Sequence, residues 1–400
     1  MEAGSCAFTV TDMTPAPRSP FHVLIAGGGP AALECALELQ LLAGDRVRIT
    51  LLAPVGEFAY RPLAVAEPFG LGSAARFSLA RLAADRGFAY IQDAVATVDV
   101  PGRRVLTANG DTIAFDALLV AVGAGAEEAL PGALTFRGSA DVPALRDRLE
   151  HLTEGPQHRI AFVAAPTTAW TLPLYELAVL TARWACERGL NVETWLVTHE
   201  QRALGVFGEE VAVRVAELLE ETGVRLWTGA SAVCVEDGRL WLDLEGGLPV
   251  DLAVALARPT GPRISGLPAD EEGFIPVDAH GRVAGAHEVF AAGDVTTRPL
   301  RQGGLATQQA DAAAAAIAAL AGAPVEPNPY RPTLRGKLIT GRRTQYLSRA
   351  AGHEGEVSED SPWWPPHKIA GRHLGPYLAA HPELREPEPE PEPAGSGKLH

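Results

Sequence analysis

The sequence predicts an α/β protein built on parallel sheets. Three observations carry this: an early apolar run that stops at a glycine cluster, a second stretch of alternating strands and helices, and a late strand that ends in Gly-Asp before a long helix. In the first, Val23-Leu24-Ile25-Ala26 gives way to Gly27-Gly28-Gly29, and a helical pattern starts at Pro30 and runs to about Ala43. Strand, tight turn and helix in this order put Gly27 at the turn and Gly29 where a pyrophosphate would meet bare backbone. The small Ala32 lets the helix lie close to the strand. Free amides in the first helical turn carry partial positive charge and suit phosphate. Taken alone, the pattern is also what a Gly-rich turn in an ordinary α/β domain looks like.

At 400 residues the chain can bury a large core and divide into two or three domains. With 47% hydrophobic and 21% charged residues it has the composition of a soluble globular protein. The net charge of −15 is concentrated. Glu354, Glu356, Glu359 and Asp360, with Glu386, Glu388, Glu390 and Glu392, lie in two segments free of Lys and Arg. No basic footprint for nucleic acid is present. Cys6, Cys35, Cys186 and Cys234 show no C-x-x-C or metal-type spacing, so no metal site is expected. The last three fall in predicted helices and a strand, where a small buried hydrophobe is the ordinary role. This use of cysteine fits a reducing, cytoplasmic setting. No run is apolar and long enough to span a bilayer.

Residues 1–20 read as a flexible, proline-bearing leader. A second strand is expected at 47–53. An acidic residue usually closes this strand and bonds a ribose. Here Ala53-Pro54 stands instead, leaving that contact to water, backbone or a neighbour such as Glu57. Residues 58–70, with two prolines and several aromatics, read as a loop shaped around something flat, or as a surface loop with aromatic anchors. A helix at 79–86, a strand at 88–92 and a meander turning at Asn109-Gly110 follow. The strand over 115–122 then ends at Gly123.

Residues 138–152 read as helical, and the strand at 159–164 opens the second unit. Where a dinucleotide turn would need glycines, residues 165–176 contain none; Trp170, Pro166 and Pro173 stand there. The unit otherwise continues with a helix at 174–188, a strand at 192–197, a helix at 209–222 and a strand at 224–227. It is read as a nucleotide-type domain whose own site is filled in. The chain then returns through Ala292-Gly293-Asp294, and Arg301-Gln302-Gly303-Gly304-Leu305 opens an alanine-rich helix. A carboxylate at a strand end suits a polyol, and the helix N-terminus suits developing negative charge; a simple cap aspartate is the alternative. Strands are expected at 334–340 and 345–349. Ser361-Pro362-Trp363-Trp364-Pro365-Pro366 forms a rigid turn before a helix expected from His367, and the tail over 386–393 alternates Glu and Pro.

With the three turns in place, the chain resembles the two-dinucleotide-domain flavoproteins of the pyridine nucleotide-disulfide reductase superfamily. The branch is that of type II NADH dehydrogenases and sulfide:quinone oxidoreductases. The resemblance covers roughly 21–380 and rests on Gly27-x-Gly29-x-x-Ala32, Ala121-Val122-Gly123 and Ala292-Gly293-Asp294, with Tyr60-Arg61-Pro62-Leu63 and Gln302-Gly303-Gly304-Leu305-Ala306 similar to the quinone-reducing members. It implies two Rossmann-like domains: an FAD domain (21–155 and 276–330) split around an NAD-type domain (156–275), then a C-terminal cap (331–383) and a tail from 384. It implies FAD bound by Gly27, Gly29, Pro30, Ala31, Ala32, Ala53, Arg61, Pro62, Val95, Val122, Gly123, Gly293, Asp294, Gln302, Gly304 and Leu305. Tyr60, Arg61, Gln308 and Lys368 are the candidates for groups at the reacting faces. The glycine-free turn puts NAD(P)H in doubt, and no cysteine pair is placed for thiol chemistry. The function expected is FAD-dependent electron transfer between a small-molecule donor and a quinone-like or other acceptor, with an FAD-holding module without turnover as the alternative. A homodimer and a peripheral membrane contact through Trp363 and Trp364 are left open, the preferred reading of that segment being a lid over the flavin.

Overall fold

The structure, a computed structural model, describes residues 19–152, 156–243 and 246–386. The readings of the leader up to residue 18, of Cys6 and of the tail from 387 lie outside those residues. The chain opens with β1 (Phe21–Ala26), whose apolar run is buried on both faces, and α1 (Pro30–Ala43), which starts on a proline and stops at Gly44. There follow β2 (Val47–Leu52), β3 (Glu57–Ala59), β4 (Arg76–Ser78) and α2 (Leu79–Arg86). Ser78 caps α2 by accepting from the Arg81 amide, and left-handed Gly87 ends it. Next come β5 (Ala89–Ile91), the meander β6 (Val95–Asp99), β7 (Arg104–Thr107) and β8 (Thr112–Ala114), then β9 (Ala117–Val120) and β10 (Gly125–Glu127).

The second unit contains β11 (Leu134–Phe136), α3 (Val142–Glu150), β12 (His158–Ala164), α4 (Leu172–Glu187), β13 (Val192–Thr198), α5 (Glu209–Glu221) and β14 (Val224–Trp227). An antiparallel flap of β15 (Ala232–Glu236), β16 (Arg239–Leu242) and β17 (Gly246–Pro249) precedes β18 (Leu252–Leu256). The chain returns through β19 (Arg258–Thr260), β20 (Val289–Ala291) and α6 (Gly303–Leu320). It finishes as a cap of β21 (Thr333–Leu338), β22 (Gln345–Ala350), β23 (Glu356–Ser358) and α7 (Leu374–Ala380).

Two five-stranded parallel sheets result, ordered β20-β9-β1-β2-β5 and β11-β18-β12-β13-β14. The antiparallel ribbon β10–β19 carries the chain out of the first unit and back. In the first sheet β1 lies between β2 and β9, so strand order reverses there and a crevice opens beyond its carboxyl end. Helices α1 and α6 pack against each other over small residues, among them Ala32, Ala36, Ala310 and Ala314.

Four expectations are corrected. The second unit does not begin at 156: β11 already pairs with β18 in the second sheet, the chain having crossed over on the β10–β19 ribbon. The stretch 58–70 is not an open loop: β3 leads into a 3-10 helix (Arg61–Phe69) whose Ala64, Val65 and Ala66 are buried, the prolines forbidding a regular α-helix. The helix expected from His367 forms only as α7, because the chain before it is drawn out along α1. Of the cysteines, Cys35 is buried, but Cys186 is exposed at the outer end of α4 and Cys234 is half-buried.

Candidate active site

The crevice is a cleft of about 1160 Å³ that begins at the first glycine turn and ends between Trp170 of the second unit and Lys368 of the cap. That exceeds an ordinary small-ligand pocket of roughly 300–1,000 Å³, so it has room for a large cofactor and a second molecule. Gly27 has φ +137°, and a Cβ on it would lie 2.2 Å from the Ala121 carbonyl oxygen. The turn after β1 is thus pressed against the end of β9, and only glycine fits. At Gly29 a Cβ would meet nothing within 4 Å. The backbone there faces open cleft at the start of α1, where an anion is favoured.

Asp294 follows Gly293, whose tight packing against Ala31 and Ala306 fixes the strand end. Its carboxylate accepts no hydrogen bond from the described residues, while the Arg301 Nε donates to its backbone oxygen at 3.4 Å. Burial raises its pKa, and the Arg301 and Arg61 guanidiniums pull it down. Arg301 itself lies 3.7 Å over the Phe274 ring. Gln302 caps α6 by accepting from the Leu305 amide at 2.9 Å and donates to the Arg335 carbonyl at 2.6 Å.

At the far end, Lys368 Nζ donates to the Glu176 carboxylate at 2.6 Å and to the Pro62 carbonyl at 2.9 Å. Glu176 is fully buried in α4 and also accepts from the Ile339 amide at 2.8 Å. Burial raises its pKa and the Lys368 charge opposes this.

Of the residues singled out from the sequence, Gly27, Gly29, Pro30, Ala31, Ala53, Arg61, Pro62, Val95, Val122, Gly123, Gly293, Asp294, Gln302 and Lys368 line the cleft. Ala32, Gly304, Leu305, Tyr60 and Gln308 do not. Ala32 and Leu305 are core residues. Tyr60 is buried, and its hydroxyl accepts from the Ile369 amide at 2.6 Å; burial pushes its phenol well up. Gln308 stitches α6 to β21, donating to the Thr333 carbonyl at 2.9 Å and accepting from the Thr333 amide at 2.8 Å. Both hold the cap in place without facing the cleft. Glu176 was missed, although a lone carboxylate in Leu-Pro-Leu-Tyr-Glu-Leu-Ala-Val-Leu was its signal.

The first unit fits a flavin dinucleotide: bare backbone at a helix start, an unengaged carboxylate at a strand end, and a long floor. The turn of the second unit does not offer the same. Trp170 packs on Phe207 with ring centroids 5.9 Å apart. Gly336 of β21 presses so closely on this corner that a Cβ there would lie 2.8 Å from Leu172 and 2.9 Å from Phe207. Glu200, just past β13 where a ribose would be held, accepts instead from the Tyr175 hydroxyl at 2.8 Å and the Thr198 hydroxyl at 3.0 Å. No cysteine lines the cleft among the described residues.

Two parallel sheets sharing a cofactor-sized cleft define the class of two-dinucleotide-domain flavoproteins, and the protein is an FAD-dependent oxidoreductase. More particularly, the chain belongs to the pyridine nucleotide-disulphide oxidoreductase family, whose profile matches residues 21–317. It is 27% identical over 293 residues to the NADH dehydrogenase-like protein Rv1812c of Mycobacterium tuberculosis, covering 68% of this chain and 72% of that protein. It is 29% identical over 311 residues to the benzene 1,2-dioxygenase system ferredoxin–NAD(+) reductase subunit of Pseudomonas putida, covering 71% and 69%. Among solved structures, the sulfide:quinone oxidoreductase of Aquifex aeolicus superposes with a TM-score of 0.74 at 18% identity, over 85% of this chain and 87% of that one. No helix among the described residues is long and apolar enough to cross a membrane.

Proposed function

We propose that the protein passes electrons through FAD held in the first unit to a quinone-like acceptor, and that its donor is not a nicotinamide dinucleotide seated in the second unit. On this reading 21–127 and 276–330 form the FAD domain, the nucleotide-type domain with a degenerate site runs from β11 to β18 (134–256), and 331–383 form the cap. Gly27, Gly29, Pro30 and Ala31 would hold the pyrophosphate and Asp294 the ribityl chain. Ala53 and Val95 would border the adenosine, and Arg61, Pro62, Val122, Gly123 and Gln302 the ring. When bound, FAD supplies the two-electron chemistry. The protein then has to admit the acceptor, exclude water and handle protons.

The observation that carries the proposal is the buried Lys368–Glu176 pair at an end of the cleft lined by Trp170, Leu172 and Pro173. An acceptor carbonyl gaining electrons needs a hydrogen-bond donor, and Lys368 Nζ is one. Glu176 behind it accepts from the ammonium and holds it in orientation. The apolar side chains suit a flat ring and leave no thiol to react. The 361–369 segment, with Lys368 and Ile369 on the lining, serves as the lid.

The test is anaerobic rapid mixing. Dithionite-reduced protein should be reoxidised by a water-soluble quinone at a rate that saturates with quinone, and Lys368→Gln should slow it. NADH and NADPH should bleach the oxidised protein slowly and without saturation. Fast, saturable reduction by NADH would overturn the reading of the second unit, and quinone reoxidation that never saturates would overturn the acceptor.

A further inference from the structure

The cap carries a strap, residues 368–374, that brings Lys368 to the cleft. Its far end is held by a group to which no function has been given. Glu34 sits in α1 with no solvent exposure. One of its carboxylate oxygens accepts from the His373 amide and the other from the Leu374 amide, both at 2.7 Å. A Cβ on Gly371 would lie 2.6 Å from Glu34 Oε2, so only glycine lets the strap come this near. One turn along α1, Glu38 pairs with the His373 ring and, at 3.7 Å, with Arg372. Asp311 of α6 faces the same cluster. Both oxygens of Glu34 are already engaged by amide protons, and Arg372 and His373 pair with Glu38 beside it, so its contacts are those of an anchor for the chain.

A carboxylate in the core is costly to bury unless it is fully hydrogen-bonded; burial raises the Glu34 pKa, and the Leu374 and His373 amides oppose this. Here the bonds go to backbone that lies five and six residues from Lys368. Between them, the Ile369 amide donates to Tyr60 and Lys368 Nζ donates to Pro62 and Glu176. We propose that Glu34 is a positioning residue for the reaction: by anchoring the strap at 371–374 it sets where the Lys368 ammonium stands in the cleft. The proposal rests on the reading of Lys368 given above, and its test separates the two.

The variants are Glu34→Gln, which keeps shape but loses one acceptor, and Gly371→Ala, which pushes the strap away from the other side. Neither residue lines the cleft, so flavin content should stay at the wild-type level. The first measurement is hydrogen exchange of the Ile369, His373 and Leu374 amides in the holoprotein. Loss of one such bond, worth about 1.4 kcal/mol, should speed exchange about tenfold in both variants. The second is the midpoint potential of the bound flavin, which a nearby cation raises. Glu34→Gln should lower it in the same direction as Lys368→Gln, and the double variant should go no further than Lys368→Gln alone.

Unchanged exchange in both variants would overturn the anchor. Faster exchange with an additive shift in potential would show that Glu34 does not act through Lys368, and would overturn the positioning role. If Lys368→Gln itself leaves the potential untouched, the reading of Lys368 fails together with that role, while amide exchange still decides whether Glu34 anchors the strap.

Discussion

Replacing Lys368 by methionine removes the partner of a carboxylate that has no access to water. Glu176 is fully buried, and its remaining bond is to the Ile339 amide at 2.8 Å. Deleting one member of a buried pair costs about 3–5 kcal/mol, because the other charge is left uncompensated. Whole-domain stability is about 5–15 kcal/mol, so the loss should be plain in urea unfolding followed by far-UV circular dichroism. Burial already raises the Glu176 pKa, and the Lys368 charge holds it down. Without that charge it rises further, and the folded state binds the proton more tightly than the unfolded one. Stability of the variant is therefore gained as pH falls. The deficit should be full at pH 8 and smaller at pH 5. The double variant Lys368→Met with Glu176→Gln should recover most of the loss, since glutamine still accepts from Ile339. A deficit below about 1 kcal/mol at pH 8, or a double variant no better than the single, would refute the reasoning.

Three further outcomes are expected. Gly27→Ala would set a Cβ 2.2 Å from the Ala121 oxygen at φ +137°, so the purified protein should lose most of its flavin, read from the ratio of visible to ultraviolet absorbance. Asp311 has its carboxyl pushed up to about 8, by burial first and then by the Glu34 and Glu38 charges, and so stabilises the fold when protonated. That contribution is full below the ordinary carboxyl range and is lost as pH rises between about 4 and 8. The Tm of Asp311→Asn relative to the wild type should therefore rise between pH 4 and pH 8 and level off above, and a difference independent of pH would count against the account. Tyr175→Phe strips a donor from Glu200 and an acceptor from the Leu204 amide, and should cost about 1–3 kcal/mol in denaturant unfolding.

The glycine turns at 27–29, 123 and 293 were legible because each is a local backbone requirement beside a strand end. The same holds for α2, whose start and stop are written as Ser78 and Gly87. What the text of the chain does not display is side-chain direction. Tyr60 and Gln308 lie beside cleft residues in sequence, yet packing turns both toward the cap. The Lys368–Glu176 pair joins residues 192 apart, and no local pattern brings them together. Glu34 reads as an ordinary helix-face residue until the cap is folded over it. The helix expected from His367 fails for the same reason: a distant carboxylate draws the backbone of 371–374 along α1.

The contacts of Gly336 on Leu172 and Phe207 recur at Gly355, where a Cβ would lie 1.8 Å from the Phe207 carbonyl oxygen. At both points the chain touches its neighbour with no slack for even a methyl group. The β-hairpin of the cap is therefore fitted to the corner ahead of α5 at backbone distance. Because Gly336 also lines the crevice, any larger residue there would displace a wall of the cleft together with that corner.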